Sequence, residues 1–412
     1  MNFLHSFVQA NNLAFSIAIL LIAYIFIAID KIPKVTVALL GASATLLLGL
    51  VSQEKLVNGH LNPIYFANFI DFNVIFLLIG MMIIINISAK SGVFQWIANE
   101  LLKMTKGNPK LIFVMLALFT AVVSAFLDNV TTVILVMPIT FAASKALGIN
   151  PSPFLITEII SSNIGGTATL IGDPPNIIIG SAAGFSFLRF LTELTDIVSL
   201  IFIVCVGILL LCFRKKLVTS KKNMVKVKNI DNSETITDKK LMLRSSITLA
   251  LVILGFVLHD VIHIQSCIVA MAGASFLLIF EKPKKILHNV EWNTIFFFVG
   301  LFIIIGGLEA SGGISLMAKW LLSVTNGSQK LTAMVILWGS GIISGIIDNI
   351  PYTVTMTPMI SQIETTMGFE YAHPLWWCLS LGACLGGNMT IIGAAANVIV
   401  SENATAEGHP IS

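Results

Sequence analysis

The segment SAFLDNVTTVILVMPIT, residues 124–140, places a carboxylate and a carboxamide inside a run that otherwise reads as membrane. Asp128 and Asn129 stand between the apolar residues 126–127 and 133–136. An unpaired carboxylate in hydrocarbon costs roughly 2.5–3.5 kcal/mol even on a lenient insertion scale. Something in the fold must therefore offset that cost, and the rest of the sequence indicates what it is.

The composition of the whole chain leaves little polar surface. Of its 412 residues, 56% are hydrophobic and only 11% are charged, whereas soluble domains carry about 25% charged residues. The mean hydropathy is +0.92. Apolar runs that approach or reach the length needed to span a bilayer occupy 13–29, 35–51, 74–87, 187–213, 246–261 and 264–280. These features indicate an all-α polytopic membrane protein.

The chain repeats itself at a nearly constant spacing. Three pairs of segments match: DFNVIFLLIG (71–80) with EWNTIFFFVG (291–300), LDNV (127–130) with IDNI (347–350), and IGGTATLIGDPPNIII (164–179) with LGGNMTIIGAAANVIV (385–400). The first two pairs are separated by the same number of residues, and the separation of the third pair is longer by a single inserted residue. A register kept over this distance indicates two homologous repeats. We place the first transmembrane repeat at 13–213 and the second at 245–412.

A basic segment, 214–244, separates the two repeats. It holds ten Lys and Arg residues against three acids, Asp231, Glu234 and Asp238. The positive-inside rule places such a segment in the cytoplasm. In a chain this apolar we read it as a solvated linker, and no nucleic-acid partner is expected.

The remaining basic residues predict that the second repeat is inverted relative to the first. Each repeat reads as three spanning helices, a hairpin that enters and leaves on one side, and a broken helix. With a last helix in the first repeat this gives five crossings, which inverts the second. With the linker inside, only Lys55, Arg189, Lys319 and Lys330 fall outside, in keeping with the positive-inside rule. The predicted fold is two inverted-topology repeats, each with a re-entrant hairpin and a broken transmembrane helix.

The C-terminal end departs from this scheme. The second repeat stops at SENATAEGHPIS, 401–412, where the counterpart of 187–213 should begin. We therefore expect either a fragment or a repeat that lacks its closing helix.

The two predicted hairpins, 110–145 and 330–362, carry polar residues at their tips. These are Asp128-Asn129-Val130-Thr131-Thr132 and Asp348-Asn349-Ile350-Pro351-Tyr352-Thr353. An Asp or Asn there can cap the outgoing helix, whose N-terminal amides favour an anion, and its oxygens are hard ligands that suit Na⁺ or a proton. Inversion would bring the tips together, so the two carboxylates would repel each other and share a proton.

The broken helices carry glycines and amides. The first, 154–180, is interrupted at Gly165-Gly166-Thr167, Gly172 and Asp173-Pro174-Pro175-Asn176, and the second at Gly386-Gly387-Asn388, Thr390, Gly393 and Asn397. Paired glycines let backbone groups face a ligand without obstruction, and the prolines stop the helix. Interrupted helices of this kind form the midplane sites of secondary transporters.

Other interpretations of these residues stay open. Paired glycines in an apolar segment also serve close helix packing, and Asp128 could act only as a cap. Two acids of the first repeat, Glu158 and Asp173, correspond to Leu379 and Ala394 in the second. They could carry coupling protons or lie at the membrane interface.

The run SNIGGTATLIGDPPNIIIGS, 162–181, together with DN at both tips, resembles the ion-transporter superfamily and within it the ArsB/NhaD permease group. That group includes arsenite permeases, NhaD-type sodium–proton antiporters and the P protein, and it is related to citrate-transporter-like domains. The resemblance covers essentially the whole chain and implies that substrate binds between the hairpin tips and the broken helices. The lining residues it implies are Asp128, Asn129, Thr131, Asn163, Thr167, Asp173 and Asn176 in the first half-site, and Asp348, Asn349, Thr353, Asn388, Thr390 and Asn397 in the second.

The expected function is secondary active transport, with cation (Na⁺)–proton antiport by alternating access in the plasma or inner membrane as the leading hypothesis. The alternative is an arsenite or other anion permease. Citrate or dicarboxylate transport ranks lower, because an Asp precedes the tip Asn where the dicarboxylate branch has Ser-Asn-Thr. The chain has neither a GxxxxGK[ST] loop nor a nucleophile elbow, so neither ATP hydrolysis nor acyl chemistry is supported. We expect a transporter and not an enzyme.

The expected partners are a small inorganic ion, a coupling proton or Na⁺, and the lipid bilayer. A homodimer is left open. We expect no cofactor, and no metal beyond a transported Na⁺.

The topology predicts which single cysteines are labelled from outside. On a cysteine-free background, Ile230→Cys in intact cells should resist an impermeant thiol reagent because the linker is cytoplasmic. Ser311→Cys should react, because 308–328 is predicted to lie outside together with 52–70. Labelling at position 230 by the external reagent would contradict the topology.

Overall fold

The computed structural model of the chain describes residues 7–8, 10–51, 65–228, 232 and 235–411. Within these ranges every regular element is a helix. Several positions used in the topology argument lie outside the described residues: Lys55, position 230, Asp231, Glu234 and most of the predicted external loop 52–70.

The described helices range from one-turn elements to long apolar helices. Up to residue 213 they are α1 (Asn12–Ile29), α2 (Lys34–Leu47), α3 (Phe72–Lys90), α4 (Val93–Met104), α5 (Pro109–Ser124), α6 (Asn129–Leu147), α7 (Ser152–Thr167), α8 (Pro174–Ala183) and α9 (Phe187–Phe213). From the linker onward they are α10 (Lys221–Lys228), α11 (Lys239–Val257), α12 (His259–Ile262), α13 (Ser266–Leu278), α14 (Pro283–His288), α15 (Trp292–Ala310), α16 (Gly313–Val324), α17 (Gln329–Ile347), α18 (Asn349–Met367), α19 (Phe369–Gly386) and α20 (Ala395–Ala406). Short 3₁₀ helices lie at Tyr65–Phe69, Gly387–Met389 and Ile391–Gly393.

Seven of the described helices have the length and apolar composition needed to cross a membrane: α1, α3, α6, α9, α11, α15 and α17. Two of them form the centre of the protein, because 67% of the apolar stretch of α3 and of α15 is buried, against 11% of that of α9. The apolar surface of α9 therefore faces outward, as a helix in contact with lipid would. The all-helical fold fits a multi-pass membrane protein.

Two helices are shorter than the apolar runs that predicted them, and a third ends before its run does. α2 has 14 residues and α13 has 13, about 20 Å at 1.5 Å per residue, so neither fills its run at 35–51 or 264–280. The helix of the run 246–261 ends at Val257, and the one-turn helix α12 follows it. No apolar run predicts α4 or α16, because each has only 12 residues and mixes polar with apolar side chains.

The bounds of the helices recur at the spacing of the sequence repeat. α3 and α15, α4 and α16, and α6 and α18 keep at both ends the same spacing as the matching segments 71–80 and 291–300. The packing is reciprocal as well, since α3 packs against α13 and α15 against α2, while α6 packs against α20 and α18 against α8. Elements from the two parts of the chain therefore interlock, and each tip lies beside a broken helix that is distant in sequence.

The closest of these contacts are made through glycine. A Cβ added to Gly80 on α3 would lie 2.8 Å from the backbone carbonyl carbon of Ala270 on α13. One added to Gly300 on α15 would lie 2.7 Å from the same atom of Ala38 on α2. Helices in lipid gain stability by this kind of close backbone approach.

The contact predicts a stability difference between two glycines of the same chain. Gly300→Ala should lower the free energy of unfolding by about 1–3 kcal/mol, the usual cost of overpacking, because the new methyl group meets backbone. Gly339→Ala in α17 is the matched control, since no atom outside its own helix lies within 4 Å of its added Cβ, and it should be neutral or slightly stabilising. Thermal unfolding in detergent, followed by tryptophan fluorescence, measures both; equal stability of the two variants would refute the packing role.

Candidate functional site

Both predicted tips lie directly before a helix. Asp128 precedes α6, and its Oδ1 accepts a hydrogen bond of 2.8 Å from the backbone N–H of Thr131. Asp348 precedes α18, and its Oδ1 accepts one of 3.2 Å from the backbone N–H of Ile350. Each Asp therefore caps the helix that leaves its tip, which satisfies part of the hydrogen-bonding capacity of its carboxyl group.

The first helix break is held by the side chain of Asn176. α7 ends at Thr167 and α8 begins at Pro174. Asn176 Nδ2 lies 3.3, 3.1 and 2.8 Å from the carbonyl oxygens of Gly166, Thr167 and Thr169. The carbonyl groups that the break frees from the helix thus find a donor inside the protein, as non-helical backbone at membrane depth requires.

Asn397 holds the second break in the same manner. Its Nδ2 donates to the carbonyl oxygens of Gly387 and Thr390 at 2.6 and 2.9 Å. All three positions align with members of the first break, namely Asn176, Gly166 and Thr169, when the segments 164–179 and 385–400 are superposed. The sequence repeat therefore corresponds to a repeated hydrogen-bonding arrangement.

The two tips meet at Asp173, a side chain only 1% exposed that precedes α8. Asn349 Nδ2 donates to the carboxyl group of Asp173, 3.3 Å from Oδ1 and 3.2 Å from Oδ2. Asn129 Nδ2 lies 3.5 Å from Oδ1. One amide from each tip therefore bonds to a single carboxyl group on a broken helix.

Asn163 on α7 extends this network. Its Oδ1 accepts from Asn129 Nδ2 at 3.1 Å. Its own Nδ2 donates to the side-chain oxygens of Asn388 and Asn397 at 2.9 and 3.1 Å. A single asparagine on α7 thus joins the amide of one tip to two amides of the second break.

A cavity of about 350 Å³ lies beside the network. Four of the predicted site residues line it: Asp128, Asn129, Asp173 and Asn349. Three polar residues before or at the start of α15 line it as well, Glu291, Asn293 and Thr294, and most of the remaining wall is aliphatic. The cavity therefore joins carboxyl and carboxamide groups from tips, break and central helix.

The other predicted residues hold the surrounding backbone and do not line this cavity. Thr167, Thr353 and Thr390 donate their hydroxyl groups to the carbonyl oxygens of Asn163, Asn349 and Gly345. Thr131 supplies the backbone N–H that bonds to Asp128. Asn176, Asn388 and Asn397 bond to break carbonyls or to Asn163.

The four predicted glycines lie where backbones approach closely, two of them between helices and two inside the breaks. A Cβ added to Gly165 would lie 2.1 Å from a carbonyl oxygen of α5, and one added to Gly386 would lie 2.4 Å from a carbonyl oxygen of α17. Gly166 and Gly387 face backbone inside their own breaks, at 2.6 and 3.2 Å. The packing interpretation that the sequence left open accounts for these contacts.

Glu291 lines the cavity although the sequence did not assign it to the site. It precedes α15, and its Oε2 accepts from Thr294 Oγ1 at 3.1 Å. Its counterpart in the sequence repeat, Asp71, caps α3 by accepting from the backbone N–H groups of Asn73 and Val74. An acid before each central helix was thus visible in the repeat, but only the structure shows that one of the two acids faces the cavity.

The two tip acids do not share one environment. Asp128 lines the cavity, whereas Asp348 Oδ2 lies 2.6 Å from Lys34 Nζ in an ion pair. This arrangement differs from the expected pair of tip carboxylates around one proton. Glu158, for which the sequence allowed an interfacial position, is 2% exposed and accepts a hydrogen bond from the hydroxyl of Thr140.

The described wall of the cavity carries three carboxyl groups and no basic side chain. Carboxyl and amide oxygens are ligands for hard cations. Acids that share a site with little water repel one another unless a proton or a cation is bound. The arrangement therefore suits a cation or a proton better than a free anion.

The role of Asn176 can be tested apart from transport. Asn176→Ala removes the donor that three buried carbonyl groups share, and one buried unsatisfied group costs about 1–3 kcal/mol. The free energy of unfolding in detergent should fall by at least that amount. Asn388→Ala, which removes only an acceptor of Asn163 in a half-buried position, is the control and should lose less; equal losses would contradict the assignment.

The chain matches a family model and proteins of several organisms. The model, described as Citrate transporter, covers residues 24–382. A 46 kDa membrane protein of Mycobacterium leprae is 40% identical over 400 residues, and an uncharacterized transporter of Mycobacterium tuberculosis is 41% identical over the same length, each alignment covering 96% of this chain and 92% of the relative. The P protein of Homo sapiens is 31% identical over 476 residues, which cover 96% of this chain but 56% of that protein. The chain belongs to the citrate transporter family and is a membrane transporter.

Proposed function

We propose that this transporter exchanges a small cation, Na⁺, for protons by alternating access across the plasma or inner membrane. The observation that carries the proposal is the cavity wall, where Asp128, Asp173 and Glu291 meet the amides of Asn129 and Asn349. Within its described lining no basic side chain balances the three acids. An ion that enters must therefore supply the positive charge.

Competition at this wall would be enough to couple the two ions. A bound proton or a bound Na⁺ relieves the repulsion among the acids. Binding of either ion therefore weakens binding of the other. Asp173 holds an amide from each tip, so a change in its charge alters a contact with both tips. A site that takes either ion, and that is exposed to each side in turn, exchanges them.

The helix bounds support the inverted repeats that alternating access uses. In this proposal α5 with α6, and α17 with α18, form the re-entrant hairpins, and the linker at 214–244 is cytoplasmic. The reciprocal packing of α3 with α13 and of α15 with α2 is what a pseudo-twofold relation between the repeats would produce.

A second, smaller cavity supports the same cycle. It measures about 140 Å³, and four of its lining residues, Asp71, Ile178, Phe302 and Val354, are the repeat counterparts of Glu291, Ile399, Met82 and Ile134 in the larger cavity. Its described lining includes neither tip asparagine nor Asp173. Two corresponding cavities, of which only one reaches the tips, fit a site that is open to one side at a time.

Anion transport is the second candidate, and two observations favour it. The matching family model is described as Citrate transporter, and a cavity of about 350 Å³ exceeds what a bare ion needs. A free citrate anion would meet three acids, so citrate would have to enter together with a cation. An arsenite or another small anion permease stays within this alternative.

Uptake into proteoliposomes under an imposed pH gradient separates these functions. Na⁺, Li⁺, citrate and arsenite are compared as substrates, with internal pH and internal label followed together. Antiport predicts that Na⁺ dissipates the pH gradient in the absence of any organic anion. Citrate or arsenite flux without a pH response to Na⁺ would refute antiport and select the alternative.

Two conservative substitutions test the acids at the wall. Asp128→Asn and Asp173→Asn keep the side-chain shape and most hydrogen bonds but remove the charge, so each should reduce coupled exchange at least tenfold at matched membrane expression. Glu407→Gln, at an exposed acid after α20, is the control and should exchange like wild type. Full exchange by the Asp128→Asn, Asp173→Asn double variant would mean that the acids serve only as caps and acceptors.

A further inference from the structure

The two tips match in sequence, but only one of their aspartates has a basic side chain beside it. In the Asp348 tip, Lys34 Nζ lies 2.6 Å from Asp348 Oδ2, and the side chains are 22% and 4% exposed. Asp128, the counterpart of Asp348 in the other tip, accepts the Thr131 backbone N–H and forms no ion pair among the described residues. The chain thus neutralises one tip from within and leaves the other without a counterion.

One position of the reciprocal packing carries a charge in one pair of helices and not in the other. The alanines that meet the glycines of α15 and α3 are Ala38 on α2 and Ala270 on α13. Lys34 and Ser266 stand one helical turn before these alanines, and each is the first residue of its helix. One helix of the pair therefore begins with a cation and its counterpart begins with a hydroxyl group.

The ion pair brings together two locally unfavourable features. Lys34 places a positive charge at a helix N-terminus, the end at which the helix dipole disfavours cations. Asp348 has a φ of +105°, a backbone conformation that side chains other than glycine rarely adopt, whereas Asp128 has a φ of −60°. Strain held at a polar contact inside a transporter points to a role for that contact in transport.

We propose that Lys34 is a tethered cation that fills the ion position of the Asp348 tip, so that only the wall formed by Asp128, Asp173 and Glu291 exchanges ions. This inference rests on the proposed cation transport. Without Lys34, Asp348 would be a buried acid that lacks a partner, and such a group takes up a cation or a proton. The Lys34→Ser variant, which copies Ser266, should therefore gain one position for an exchangeable cation.

The test is the number of ions bound by the purified full-length protein in detergent, measured with radiolabelled Na⁺ at a pH high enough to deprotonate the acids. Lys34→Ser should bind one more Na⁺ per chain at saturation than wild type. Lys34→Arg keeps the charge and should bind the wild-type number. The double variant Lys34→Ser, Asp348→Asn lacks both charges and should also return to the wild-type number.

The outcomes separate the two proposals. Wild-type protein that binds no Na⁺ would overturn both the antiport and the role of Lys34. If wild type binds Na⁺ and folded Lys34→Ser binds the same number, only the role of Lys34 is overturned. Should Lys34→Ser fail to fold, the double variant decides, since fewer Na⁺ than wild type would show that Asp348 takes part in ion binding. Loss of citrate binding in Lys34→Ser with an unchanged Na⁺ number would make Lys34 an anion ligand and would likewise overturn the proposal.

Discussion

The amide of Asn176 bonds the carbonyl groups of the first helix break, and the geometry of the cavity follows from that bond. In lipid no water satisfies a free carbonyl group, so a chain can leave helical form only where other protein groups replace the lost hydrogen bonds. Asn397 supplies the same bonds at the second break. Because the backbone can stop and restart there, Asp173 comes to stand at the start of α8, within reach of the amides of both tips.

Glycine contacts then bring the tips to the breaks. Apolar helices gain little from leaving lipid for one another, so close approach of their backbones matters more than it does in a soluble core. Gly165 lets α7 approach α5, and Gly386 lets α19 approach α17, each against a backbone carbonyl oxygen. These glycines do not line the cavity, but a side chain at either position would push a tip away from its break. Backbone packing thus places the tips beside the breaks that the side chains of Asn176 and Asn397 hold.

Much of this arrangement could be read from the sequence, because the repeat marks residues by position. The nearly constant spacing between matching segments identified both tips and both breaks, and capping by Asp128 and Asp348 followed from their place before an apolar helix. The ion pair between Lys34 and Asp348 could not be read, since it joins side chains 314 residues apart through tertiary packing alone. The position of Glu291 in the cavity wall was not predicted for a related reason. An acid before a helix is usually a cap, as Asp71 is, and only the fold determines which of two matching acids faces a cavity.

The two residues whose roles the sequence did not predict, Lys34 and Glu291, belong to one pair of packed helices. Lys34 begins α2 and Glu291 precedes α15, and these helices meet where Gly300 contacts Ala38. Through Lys34 the pair holds the second tip, and through Glu291 it faces the first tip across the cavity. If α2 and α15 moved as a unit relative to the tips, the Lys34–Asp348 distance and the separation of Glu291 from Asp128 would both change. The cavity with its three acids and the Lys34–Asp348 ion pair at the other tip are in this way joined through the same two helices.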